Sequence, residues 1–284
     1  MLLKTTHQKI RGTIRLGLRE LGYFFKGAAG NLFSREFIPV LTLFLVAWEL
    51  LPRTMTMPDG RPIGNLVPPL SAVAVTFWDM VTNRGFLGDV ADSMGKFFLG
   101  LGIAIVTAIP IGTLMGWNIS IRKRVLPLFQ LLSPIPPPAW VPLTIIIFGV
   151  GLPMQTFLIF LGAFYPILFN TYQAVKDTDP RYLASARIFG ASELTLILRV
   201  YFWHAIGAII MSVKTGVAIG LVMLVIAEMY GGRTGIGYVL NEAKDYFRIP
   251  QMVVCMVTLG LIGWFLIEVL KFVELKAAVW KGGR

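Results

Sequence analysis

The sequence predicts an all-α, polytopic membrane protein with about six transmembrane helices. Three observations carry this expectation. The chain is 56% hydrophobic and only 14% charged, where a soluble domain averages about 25% charged residues. Apolar runs of about twenty residues recur, the length needed to cross a bilayer core. Lys and Arg alternate in density from one connecting segment to the next, as membrane topology requires.

The spans are read in order. The first, residues 37–51, is short for a bilayer. The second is 97–117. The third, 125–150, is broken by prolines. The fourth is 156–175, the fifth 200–229 and the sixth 252–273. With the N-terminus inside, the inner segments hold eighteen of the 26 basic residues, the outer segments hold seven, and Lys214 lies within a span. That asymmetry predicts both termini on the cytoplasmic side.

Residues 1–36 precede the transmembrane domain, 37–284. They are studded with charge and lack the continuous apolar stretch of a cleavable signal peptide. Ile10, Ile14, Leu18, Leu21 and Phe25 recur at helical spacing beside a stripe of Arg11, Arg15 and Arg19. The segment reads as a basic amphipathic helix, lying on the inner membrane surface or packed on the protein's own edge. Residues 52–92, rich in Pro, Gly and Asp, read as an external loop with at most one short helix.

Several chemistries are not expected. The net charge of +11 follows from the basic inner segments and does not call for nucleic acid. No G-x-x-x-x-G-K-[S/T] phosphate loop occurs, so ATP is not expected to bind this chain that way. Two histidines far apart and one cysteine, Cys255, make a His/Cys metal site or a disulfide unexpected. No convergent set of catalytic groups marks an enzyme. The glycines of "GGRTGIG", residues 231–237, follow no strand and read as a tight external turn rather than a dinucleotide fingerprint. Gly112 and Gly116 form a G-x-x-x-G, whose usual meaning is close helix packing.

Three features ask for more. The cluster "SPIPPPAWVP", residues 133–142, breaks the third span. Pro134, Pro136, Pro137 and Trp140 line a translocation path there, or the prolines merely kink the helix. Lys214 and Glu228 lie inside the fifth span, 14 residues apart. That is about 21 Å along the axis, too far to pair within the helix, and both are expected to face the bundle interior or a cavity. Lys214 is satisfied by a neighbouring helix or serves a passing anion. Last, "DPRYLASARIFGASELTLILR", residues 179–199, spends about twenty residues between two spans. Asp179 suits an N-cap and Pro180 the first helical position. Gly190, Ala191 and Ser192 suit an elbow before a second helix. Small residues Ala184, Ser185 and Ala186 would let a partner approach closely.

Here the residues carry a resemblance. "ASARIFGAS" resembles the "EAA…G" cytoplasmic loop of permease subunits of bacterial ATP-binding-cassette importers. The surrounding segments, 93–117, 133–151, 166–192 and 227–243, are similar to the nitrate/sulfonate/taurine/bicarbonate branch of that family. The resemblance implies a type I importer permease in the inner membrane. The stretch of about 176–199 would be the coupling-helix loop, with Ala184, Ser185, Ala186, Arg187, Gly190, Ala191 and Ser192 docking on the ATPase. Two ATPase subunits would hold ATP-Mg, and this chain would bind no cofactor. A second permease copy, making a homodimer, and an extracytoplasmic solute-binding protein would complete the machine. The cargo would be a small anionic solute. Four positions depart from the pattern. Ala184 replaces the family's glutamate, Trp203 and Gly207 replace its prolines, and Lys214 stands where arginine is common. The lost prolines leave an unbroken loop-to-span helix possible. A secondary transporter or channel would also have six spans, but would need no docking loop.

Overall fold

In a computed structural model, residues 37–56 and 63–279 are described. The amphipathic segment expected at 1–36 lies outside the described residues. The chain divides into two units, 1–72 and 73–284.

In the first unit, α1 (Phe37–Thr54) is 18 residues long, about 27 Å of helix. It reaches three residues beyond the expected first span. Only 6% of its apolar window is buried, as suits a helix whose surface faces lipid. Its end is stapled to the returning chain. Glu49 accepts hydrogen bonds from the Ser71 N–H at 2.9 Å and the Ser71 hydroxyl at 3.0 Å. Trp48 Nε1 donates to the Pro68 carbonyl at 3.2 Å.

In the second unit, α3 (Phe86–Trp117), α6 (Leu152–Lys176) and α8 (Glu193–Gly231) form the core. α6 is central, with 61% of its apolar window buried. α3 and α6 run parallel, and small residues let them close up. A Cβ on Gly100 would fall 2.7 Å from Ile159 Cβ, one on Gly112 2.8 Å from the Leu168 carbonyl, and one on Gly116 2.6 Å from Val175 Cβ. Ala104 and Ala108 complete the stripe and are fully buried. Lipid tails are as apolar as leucine, so helices in a membrane associate through such close contact rather than by leaving water. The expected G-x-x-x-G packing is thus one half of a longer seam. α8 packs antiparallel on the other side of α6, where Gly162 meets Met223 and Gly216 meets Ile167. Phe97, Ile159, Phe164, Leu168, Val217 and Leu224 fill the space between the three.

The other elements surround this core. α2 is Leu70–Asn83, and α4 (Ile119–Leu132) follows α3 after Asn118, whose side chain caps it. A 3-10 turn at Pro137–Trp140 leads into α5 (Val141–Phe148). Then come α7 (Pro180–Ile188), α9 (Ile236–Asp245) and α10 (Ile249–Val279). Among the described residues, five helices are long and apolar enough to cross a membrane, and the pair Ile119–Leu132 and Pro137–Phe148, bent by 84°, makes up to six.

Two expectations need correction. The segment read as external loop holds a 14-residue helix, α2, and gives way to α3 at Phe86, eleven residues before the expected span. Asp89 and Asp92 looked like loop residues, and Lys96 like the edge of a span. They are the opening turns of α3, where carboxylates suit the helix N-terminus. α9 was also hidden, because "GIGYVLNEA" is short and glycine-rich.

Candidate functional site

At one end of the bundle, α7 and the start of α8 form a helix, an elbow and a second helix. Asp179 caps α7: its carboxylate accepts from Arg181 N at 2.8 Å and from the Arg181 guanidinium at 2.7–3.2 Å. The Arg181 side-chain bond first, then its backbone N–H, holds the Asp179 carboxyl below the usual carboxylate range. The cap is therefore ionised at neutral pH and is lost only as pH falls through that lowered value. α7 ends in a Schellman motif. Ala191 N donates to the Ala186 carbonyl at 3.1 Å and Gly190 N to the Arg187 carbonyl at 2.9 Å. Gly190 has φ 76, the left-handed conformation that glycine adopts without a Cβ clash. Ser192 caps the next helix, accepting from Thr195 N.

The predicted loop residues divide between two faces. Ala186 and Ala191 turn inward with Leu183, against Val175, Leu196 and Tyr201. Ala184, Ser185, Arg187, Gly190 and Ser192 are exposed. Two residues that the sequence reading passed over dominate the outer surface: Ile188 is 83% exposed and Phe189 89%. Their signal was an apolar pair next to a glycine elbow in a polar connector. The loop is braced from below. Glu193 pairs with Arg187 at 3.2 Å and accepts from Trp117 Nε1 at 3.2 Å. Beyond it the chain runs on helically to Gly231 through a π turn at Leu196–Tyr201. Loop and span form one 39-residue helix, about 58 Å long. That exceeds a bilayer core of about 30 Å.

The proline break turns sharply. Pro134 and Pro136 are exposed, while Pro137 and Trp140 are half-buried. Trp140 packs beside Val141, Met154, Leu158 and Met223. Its buried Nε1 has no hydrogen-bond partner among the described residues. Nearer the elbow, Asn170 and Gln173 of α6, Asp177 just after it, and Ser212 and Thr215 of α8 line a pocket of about 420 Å³. Polar side chains on helices at this level call for water or a protein partner rather than lipid.

Lys214 and Glu228 do not share a cavity. Lys214 forms an ion pair with Glu274 of α10, so a neighbouring helix satisfies it. Glu228 is fully buried near the far end of α8. Ser93 Oγ lies 2.8 and 2.9 Å from its two oxygens, Lys96 Nζ donates at 3.1 Å and Gly237 N at 2.8 Å. Lys96 also pairs with Asp92 at 2.7 Å and donates to the Thr234 carbonyl at 2.9 Å. Asp92 accepts from the Thr234 hydroxyl. Asp89 accepts from Gly235 N at 3.0 Å, and Ser93 from Ile236 N at 2.8 Å. Residues 89, 92, 93 and 96 fall on one face of α3, and that face grips the glycine turn between α8 and α9. A Cβ on Gly235 would land 2.1 Å from Glu228 Oε1. Ser93 and Lys96 were not among the predicted site residues. Their helical spacing was legible, but their partner is 132 residues or more away.

The family model for the binding-protein-dependent transport system inner membrane component matches residues 108–274. A chain named as an ABC transporter permease protein in Methanocaldococcus jannaschii is 30% identical over 260 residues, 90% of this chain and 97% of its own length. The nitrate import permease protein of Leptolyngbya laminosa is 27% identical over 69% of this chain and 74% of its own. Among solved structures, the MetNI methionine ABC transporter in inward facing conformations matches with a TM-score of 0.55. It is 17% identical and covers 67% of this chain and 93% of its own. At that identity the likeness concerns the fold.

Proposed function

Because the chain belongs to the binding-protein-dependent transport system inner membrane components, the permease subunits of ATP-binding-cassette importers, we propose that it docks its ATPase through α7 and passes a small oxyanion. It is a multi-pass membrane protein and a transport subunit; ATP hydrolysis belongs to a separate chain.

The observation that carries the docking assignment is the elbow at Gly190. It lifts Ile188 and Phe189 clear of a braced helix end, and buried aromatic anchors dominate interface energetics. Exposed small residues Ala184 and Ser185 let the partner's surface come close beside them. Ala186 and Ala191 serve the inner side of the same knob, and Arg187 holds Glu193. In this reading two ATPase subunits carry ATP-Mg, and both termini lie with them on the cytoplasmic side.

The path is assigned to the Asn170–Thr215 pocket and the proline break, closed by a second copy of the chain. A binding protein delivers the solute at the opposite face. Amides and hydroxyls along α6 and α8 can replace part of an anion's hydration without holding it. The nitrate permease among the relatives supports an oxyanion as cargo. Lys214 is committed to Glu274 and Glu228 to its clamp, so neither is placed on the path here.

The test is co-purification of the tagged chain from its native membrane. An ATPase subunit should accompany it, and Phe189→Ala should release that subunit while the permease stays monodisperse. Retention of the ATPase by Phe189→Ala and Ile188→Ala together would sink the docking assignment.

A further inference from the structure

A cavity of about 230 Å³ lies between the α2–α3 junction and the α9–α10 junction. It is at the end of the bundle opposite α7, beside the clamp on Glu228. Four charged residues from separate elements line it: Arg84 after α2, Asp89 opening α3, Glu242 on α9 and Arg248 before α10. Tyr238 and Gln251 add a phenol and an amide.

Three of the four charges are held in place by something outside the cavity. Arg84 Nε donates to Asp79 at 2.9 Å. Asp89 is fixed by the Gly235 N–H. Arg248 packs on the Tyr246 ring, 5.0 Å from its centroid, and its N–H donates to the Ala243 carbonyl at 2.8 Å. Phe247, just before it, has φ 52. It is the left-handed residue of the Schellman turn that ends α9, its backbone N–H donating to the Lys244 carbonyl at 3.1 Å. Arg248 and Glu242 stand 3.8 Å apart, beyond hydrogen-bond reach.

The lining is therefore dipolar, with two guanidiniums and two carboxylates. A bare anion would meet the carboxylates, and a bare cation the guanidiniums. A solute carrying both charges answers both. Guanidinium forks match planar and tetrahedral oxyanions, and carboxylates accept from ammonium groups. We propose that this cavity binds a small dipolar solute, an oxyanion head with an ammonium a few bonds away. The oxyanion sits on Arg84 and Arg248, the ammonium on Glu242 and Asp89. The proposal rests on the import reading only in taking this end as the outer face. A free aminosulfonate and the phosphoethanolamine head group of a lipid share this chemistry.

The test is calorimetric titration of the purified permease–ATPase complex in maltoside detergent, without nucleotide or binding protein. The probes are taurine, methanesulfonate and ethylamine. Taurine should bind at one site per permease chain, at least about tenfold tighter than either singly charged probe. Arg84→Gln and Arg248→Gln should each weaken it about tenfold or more, because a charge-assisted fork is lost. Arg248→Lys should recover part, and Arg233→Gln, outside the cavity, should change nothing. If added phosphatidylethanolamine abolishes taurine binding while phosphatidylglycerol does not, the lipid head group is an occupant of the same site. Absence of saturable taurine binding in a monodisperse complex overturns the proposal, as does affinity that survives both glutamine variants. Equal affinity for methanesulfonate overturns the dipolar assignment. Co-purification of the ATPase is scored beforehand on the same preparation, so failure of the import reading is seen separately. The chain is titrated alone in that case.

Discussion

Lys96 and Glu228 meet across 132 residues of sequence, Nζ to Oε1 at 3.1 Å, with the lysine side chain 8% exposed and the glutamate sealed. One comes from the first turns of α3, the other from the last turn of α8. A buried carboxylate deprived of its cation is expected to cost roughly 3–5 kcal/mol. Lys96→Met should therefore lower the melting temperature of the purified protein sharply. Lys96→Met with Glu228→Gln should recover part of the loss, since the amide needs no counter-charge. Equal stability of the single and double variants would show that the pair is not coupled.

The glycine seam between α3 and α6 makes a second, paired prediction. Gly116→Ala places a methyl 2.6 Å from Val175 Cβ, whereas Gly102→Ala meets nothing within 4 Å. The first should destabilise by about 1–3 kcal/mol, as overpacking does. The second should be neutral or gain about 0.5–1 kcal/mol from the better helix former. Thermal denaturation in detergent compares them, and matching shifts would count against the seam.

At the coupling elbow, Gly190 has open space around it but a positive φ. Gly190→Val should strain the turn by at least about 1–2 kcal/mol and misdirect Phe189. Solute-stimulated ATPase activity in proteoliposomes should fall while the permease remains folded. Gly190→Asn should retain more activity, because asparagine tolerates this conformation better.

Lys214 and Glu274 are partly exposed, 17% and 33%, so their pairing is expected to contribute less than the sealed one. Lys214→Met should cost about 1–2 kcal/mol of stability. Uptake per assembled complex should stay near normal, and Lys214→Arg should restore the stability. An assembled Lys214→Met complex that has lost transport would return the lysine to the solute path.

Single cysteines at Asn170, Gln173 and Thr215, in a Cys255→Ser background, should react with a small charged thiol reagent. Cysteine at Val106, an apolar residue 72% exposed on α3 and outside the pocket, is the comparison. Trapping with ATP should change the rates at the pocket positions. Rates no higher than at Val106 would exclude the pocket from the path.

The sequence by itself determined what is local. Apolar length set the number of crossings, and Asp179, Pro180, Gly190 and Ser192 set the shape of the loop through caps and a left-handed turn. Those signals depend on residues within four or five positions of one another. Composition also fixed the class, since so few charges cannot cover a soluble surface. Only the tertiary structure decided where the buried charges go. Lys214 and Glu228 lie on one helix at spacings that bring them to similar faces, yet one is answered by α10 and the other by α3. The residue that answers a buried charge is chosen by which helices can approach closely, and the alanines and glycines of α3 made that choice. The same holds for Asp89, Asp92, Ser93 and Lys96. Asp89 and Asp92 read as a loop, and Ser93 and Lys96 as the edge of a span, until α8 and α9 are brought against them. Desolvation then makes each group's hydrogen-bond partner obligatory, and the segment becomes the start of a helix.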